Sequence, residues 1–151
     1  MSLFKELIGN PVLICCLTGW LLAQGLKVPF DYLKHRQINW GLFFTAGGMP
    51  SSHSALMTAA TLAVGLFYGF DEPLFGLAVG ITMIVVYDAT GVRRQAGMQA
   101  RKINTLVNEL LQGHPLNEKA LKEVLGHTPL EVTGGVALGL AVSTVIWMIW
   151  K

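Results

Sequence analysis

Leu7 to Leu26 reads LIGNPVLICCLTGWLLAQGL, 20 residues without one charged side chain. As a helix it would extend about 30 Å, the thickness of a bilayer's hydrocarbon core. It has no small-residue site of the kind that ends a signal peptide and leads straight into Lys27, so it reads as a retained span. The rest of the 151 residues agree, with 52% hydrophobic and only 13% charged. Mean hydropathy is +0.52. This is the composition of an integral membrane protein. A net charge of +2 leaves no basic footprint for nucleic acid. Cys15 and Cys16, neighbours inside the apolar run, read as small hydrophobes.

Three more apolar stretches follow, Ser54 to Phe70, Leu74 to Tyr87 and Val132 to Trp150. The expected fold is therefore an all-α integral membrane protein, one membrane-embedded domain over residues 1–151. It has about four transmembrane helices plus short amphipathic surface helices. Lys27 should end the first span, with a polar connection from Pro29 to Trp40 and an interfacial segment at Trp40, Phe43 and Phe44. Asp71-Glu72-Pro73 should turn the chain between two helices. Met98 to Gln112 places Ile103, Leu106, Val107, Leu110 and Leu111 on one face, and a second short surface helix is expected at Asn117 to Leu125. Gly76-x-x-x-Gly80 and Gly135-x-x-x-Gly139 would let helix backbones approach closely, within the monomer or between copies of a homo-oligomer.

Four spans put both long connections on one side. They carry Lys27, Lys34, Arg36, Arg93, Arg94, Arg101, Lys102, Lys119 and Lys122, against Lys5 and Lys151 opposite. The positive-inside tendency makes the long connections cytoplasmic, in a bacterial-type inner membrane.

The second stretch that matters is Gly47-Gly48-Met49-Pro50-Ser51-Ser52-His53-Ser54-Ala55. The glycines allow a tight turn, Pro50 blocks an incoming helix, and Ser51 or Ser52 can cap the helix that follows. The first amides of that helix, with the hydroxyls and His53, form an anion site with a proton donor beside it. The topology brings Lys27, Ser51, His53, Asp88, Arg93, Arg94, His127 and Glu131 to the same membrane face. Cations, a helix terminus and two histidines suit holding and transferring a phosphate. Thr128-Pro129-Leu130-Glu131 also reads as a capping box, which would turn Glu131 back to the backbone instead of toward His127. A second, weaker reading of Asp88 with the two arginines is an ion pair closing a helix end.

Pro50-Ser51-Ser52-His53 resembles the Pro-Ser-Gly-His motif of the type 2 phosphatidic acid phosphatases, a superfamily that includes vanadium haloperoxidases and bacterial acid phosphatases. His127-x-x-x-Glu131 is similar to the His-x-x-x-Asp end of that superfamily's third motif. With Tyr87-Asp88-Ala89-Thr90-Gly91-Val92-Arg93-Arg94, the chain resembles a small divergent membrane branch from about Gln24 onward. The resemblance implies His127 as a nucleophile forming a phosphohistidine, Glu131 orienting it and His53 as general acid. Ser51, the amides near Ser52 and His53, Lys27 and an arginine, Arg93 or Arg94, would hold the phosphate. It implies no metal and no cofactor, and inhibition by vanadate. The chain departs from the pattern at Lys34-His35, where the family has Arg-Pro, and at Leu121, where it has arginine. Ser52 replaces glycine and Glu131 replaces aspartate.

The leading expectation is a metal-independent phosphatase acting from the cytoplasmic side on a membrane lipid phosphate or diphosphate, such as phosphatidylglycerol phosphate or a prenyl diphosphate. Two other classes fit the same sequence. One is a non-catalytic module that binds phospholipid or phosphate, and the other a small transporter or structural subunit built on the glycine faces.

Overall fold

The computed structural model describes residues 3–44, 47–110 and 126–150. All regular structure there is helical: α1 (Leu3–Ile8), α2 (Pro11–His35), a 3₁₀ turn (Trp40–Phe44), α3 (Ser52–Tyr68), α4 (Pro73–Thr90), α5 (Val92–Leu110) and α6 (Pro129–Trp150). Three helical stretches are long and apolar enough to cross a bilayer: Pro11–His35, Pro73–Val107 and Pro129–Trp150. The remaining apolar helix, α3, has 17 residues and packs against α2, α4 and α6. The expected all-α membrane fold holds. The short helix expected at Asn117 to Leu125 lies outside the described residues.

Three boundaries differ from the sequence reading, each for a local reason. Asn10 caps a fresh helix, its Oδ1 accepting from the Leu13 N–H at 3.1 Å, with Pro11 at the first helical position. Leu7 and Ile8 therefore belong to α1, and the crossing helix begins at Pro11. That helix does not stop at Lys27. It runs through Pro29 to His35 and ends where Arg36 adopts φ 57°, its N–H donating to the Tyr32 carbonyl at 2.8 Å. Pro29 removes one helical N–H without breaking the helix, so Lys27 sits two turns inside α2 and is fully buried. Finally, α5 follows α4 after only Gly91, well before the expected start at Met98. Its Ile103, Leu106, Val107 and Leu110 are exposed.

Small residues hold α3 at the centre. Ala55, Ala59 and Ala63 are completely buried. A Cβ on Gly19 of α2 would stand 3.1 Å from the Ala59 Cβ. On Gly139 of α6 it would stand 2.6 Å from the Ala55 carbonyl oxygen and 2.9 Å from the Ala59 nitrogen, and on Gly135 it would collide with the Ser51 carbonyl oxygen. In lipid, where burial of apolar surface drives little helix association, such close approach and interhelical hydrogen bonds hold helices together. The Ser143 hydroxyl donates to the Ala59 carbonyl at 2.7 Å. Thr61 and Thr82 share a 2.7 Å bond between α3 and α4, and Thr82 also donates to the Met57 carbonyl. Cys15 fills the same core as Ala59 and Ala63.

The two glycine pairs thus part company. Gly135 and Gly139 are spent inside the monomer, whereas a Cβ at Gly76 or Gly80 would meet nothing within 4 Å. Gly139→Ala is expected to destabilise the fold by about 1–3 kcal/mol through overpacking against α3 backbone. Gly80→Ala should leave the detergent-solubilised protein's unfolding temperature unchanged or slightly higher. Equal effects at the two positions would refute this assignment.

Candidate functional site

Each turn at one end of the bundle places a polar side chain at the mouth between helices. Before α3 the chain passes Gly48 with φ +93°, a left-handed conformation that favours glycine. The turn lies along the Lys27 stem, whose Cγ and Cδ are 3.7 Å from where a Gly48 Cβ would stand. Ser51 is the N-cap, its Oγ accepting from the Ser54 N–H at 3.3 Å and the Ser54 hydroxyl at 3.0 Å. His53 follows in the first turn of α3 and is solvent-exposed.

The start of α6 carries the second histidine. The alternatives for Glu131 prove compatible, because one oxygen does both jobs. Glu131 Oε2 accepts from the Thr128 N–H at 3.1 Å and from His127 Nδ1 at 3.0 Å, while the Glu131 N–H donates to the Thr128 hydroxyl at 3.3 Å. The capping box is closed, and the imidazole is held by the same carboxylate. An ionised carboxylate can only accept, so Nδ1 carries a hydrogen, and in the neutral ring that leaves the lone pair on Nε2. His127 is 5% exposed.

Backbone bonds join these pieces. The Ser51 N–H donates to the Glu131 carbonyl at 2.9 Å, and the His127 N–H to the Ala89 carbonyl at 3.0 Å. The starts of α3 and α6 and the end of α4 are thereby tied together. The His53 and His127 rings stand 6.5 Å apart between centroids, tilted by 60°. Lys27, buried in α2, has the Glu131 carboxylate as its electrostatic partner. Asp88 is half-buried in the last turn of α4, next to the Ala89 carbonyl that holds His127. Arg93 and Arg94 open α5, one turn beyond, and their side chains lie outside the described ones.

Ser52 is placed differently from Ser51. Its hydroxyl donates to Gln24 Oε1, so toward an anion it offers its backbone N–H. Gln24 did not stand out among candidate residues. Its signal was an amide inside an otherwise uncharged membrane stretch, where a polar side chain is costly enough to mark a role.

A cavity of about 790 Å³ opens between α2, the Gly48 turn and α6, reaching the His127 side of the site through Thr128 and Glu131, with neither His53 nor His127 in its lining. Lys27, Thr128 and Glu131 supply its polar lining, Phe30, Leu33, Leu42, Met49 and Leu130 apolar walls, and Asp31, Lys34 and His35 more polar lining. Asp31 and His35 are paired at 2.8 Å.

The two jobs of Glu131 can be separated experimentally. Thr128→Val removes the cap hydroxyl alone and should cost about 1 kcal/mol of stability. It should leave the Nδ1 resonance of nitrogen-labelled His127 in place, whereas Glu131→Ala should shift it and destabilise the protein as well. A Thr128→Val protein with a displaced Nδ1 resonance would show that the two contacts are not independent.

The sequence profile described as the Divergent PAP2 family matches residues 8–142. A protein of Bacillus subtilis (strain 168), named uncharacterized membrane protein YuiD, is 40% identical over 152 aligned positions, covering 93% of this chain and 96% of that protein. No solved structure matches the chain. With the profile running from ahead of α2 into α6 and across both histidine-bearing helix starts, the chain belongs to the divergent PAP2 family of membrane proteins.

Proposed function

We propose that this protein is a membrane phosphatase that hydrolyses a lipid phosphate or diphosphate through a phosphohistidine on His127. The observation that carries this reading is the pairing of the two imidazoles. His127 is held through Nδ1 by Glu131, and the His53 ring lies 6.5 Å away. In the first step, His127 Nε2 attacks phosphorus and the bond to the leaving oxygen breaks. His53, protonated, gives its proton to that oxygen. Water then attacks the phosphohistidine, His53 takes the water's proton, and inorganic phosphate leaves as His127 regains its lone pair. Glu131 keeps the attacking ring in one tautomer and stabilises its cationic form.

Charge on the phosphoryl oxygens is met by Lys27, by the amides at the start of α3 and by Arg93 or Arg94. Two helix N-termini brought together at Ser51 and Glu131 add their partial positive charges. The cavity beside Lys27, with its apolar walls, supports a substrate whose chain stays in the bilayer while the headgroup enters. The cationic excess of the connections on this side supports a cytoplasmic site.

The test is phosphate release by detergent-purified protein over a panel of lipid phosphates, including phosphatidic acid, phosphatidylglycerol phosphate and a prenyl diphosphate. Release should survive a chelator and be inhibited by vanadate, whose trigonal-bipyramidal adduct mimics the transition state. His127→Ala should abolish it, and His53→Ala should lower kcat by about 10²–10⁴-fold. Activity retained by His127→Ala would mean a different nucleophile. Vanadate binding without release from any lipid would favour a phosphate-binding module.

A further inference from the structure

Gln24 lies one turn before Lys27 on α2 and is buried. Its carboxamide serves two partners distant in sequence. Oε1 accepts the Ser52 hydroxyl, and Nε2 donates to the Phe43 carbonyl at 2.6 Å. Ser52 is the first residue of α3, 3% exposed, and the next residue is His53. Phe43 belongs to the 3₁₀ turn, where its ring stacks on Trp40. Gln24 also lines an apolar groove of about 390 Å³, together with Trp20, Leu21, Trp40 and Phe43. A single amide thus stands between a tryptophan-lined groove and the first turn of the histidine-bearing helix.

We propose that Gln24 is a positioning residue of the phosphate site. It holds Ser52, and with it the turn that carries His53, in register with His127, and it ties that turn to the interfacial segment Trp40–Phe44. This rests on the phosphatase reading above. Ser51 caps α3 and needs no help from Ser52 to do so. The hydroxyl of Ser52 is therefore not required by the cap, and its bond to α2 has a different consequence. It fixes the χ1 of Ser52 and the rotation of the first turn about the axis of α3. The direction of His53 is set by that rotation, and misplacement of a reacting group by about 1 Å can cost 10²-fold in rate. Glycine, which the resembled motif has at this position, could not form the bond.

The experiment compares wild type, Gln24→Leu, Ser52→Ala, the double variant and Gln24→Glu as full-length protein in detergent. It measures phosphate release from dioleoyl phosphatidic acid, vanadate affinity and unfolding temperature. Gln24→Leu and Ser52→Ala should each lower kcat about tenfold or more with KM within about twofold. The double variant should be no slower than Gln24→Leu, because both changes cut the same bond. In Gln24→Glu the carboxyl accepts from Ser52 in either state but donates to the Phe43 carbonyl only while protonated, so ionisation cuts the tie to the interfacial segment. Its rate relative to wild type at the same pH should approach one at low pH and fall as the carboxyl ionises.

Losses that multiply in the double variant, an effect on KM alone, or unchanged kcat in Gln24→Leu would overturn the role. If Gln24→Leu fails to fold, Ser52→Ala and the pH profile of Gln24→Glu decide, and a flat ratio overturns it. Wild-type protein that neither releases phosphate nor binds vanadate would overturn the phosphatase reading, and this role with it. An active wild type with unaffected variants overturns this role alone.

Discussion

The site depends on how closely α6 can approach α3. The Ser51 N–H reaches the Glu131 carbonyl only because Gly135, one turn further along α6, presents no side chain to the Ser51 carbonyl. Gly139 repeats the arrangement against Ala55 and Ala59 one turn deeper. Two helix N-termini therefore lie side by side, with buried Lys27 beside them. Their partial positive charges and the lysine would repel one another in a low-dielectric setting unless an anion were present. Glu131 supplies one. Its carboxylate, at the third position of α6, is where the dipole of its own helix favours negative charge, and it faces Lys27 across the cavity.

The same carboxylate explains why a histidine precedes this helix. The capping box requires glutamate at that place in any case, and His127, four residues earlier, meets the oxygen that has accepted the Thr128 amide. A helix cap has become a device for orienting an imidazole at no extra structural cost. Aspartate, shorter by one methylene, would have to serve the cap and the ring from nearer the backbone. The replacement of aspartate by Glu131 is thus coherent with Thr128 as cap and Pro129 as first helical residue.

Much of this was legible in the sequence because it is carried by local rules. The uncharged run to Leu26, the cap at Ser51, the turn at Glu72-Pro73 and the box at Thr128–Glu131 are decided by neighbours in the chain. What escaped was decided by tertiary contact. Pro29 reads as a helix breaker, yet α2 passes through it and closes only at Arg36, as membrane-spanning helices tolerate an interior proline where the freed backbone group is satisfied locally. Which glycine pair is used depends on what stands opposite, and both pairs have the same spacing. Gln24 shows in the sequence only as an amide within an apolar run, and nothing there names its partners, because Ser52 and Phe43 belong to other elements.

Helix continuity through Pro29 changes the electrostatics of the whole end of the bundle. A lysine at a span end would extend into water and act as one more surface cation. Two turns inside α2, Lys27 instead has its stem against the Gly48 turn and its charge confined beside Glu131. A charge so placed cannot be screened by solvent ions as the exposed Lys34 can, and its field is concentrated on the cavity it lines. An anion entering there meets a cation already stripped of most of its water, so part of the desolvation cost has been met by folding. On the proposed phosphatase reading, that preorganisation, and not the number of cations on this face, would separate a site able to distinguish a phosphoryl group from a surface that merely attracts anionic lipid.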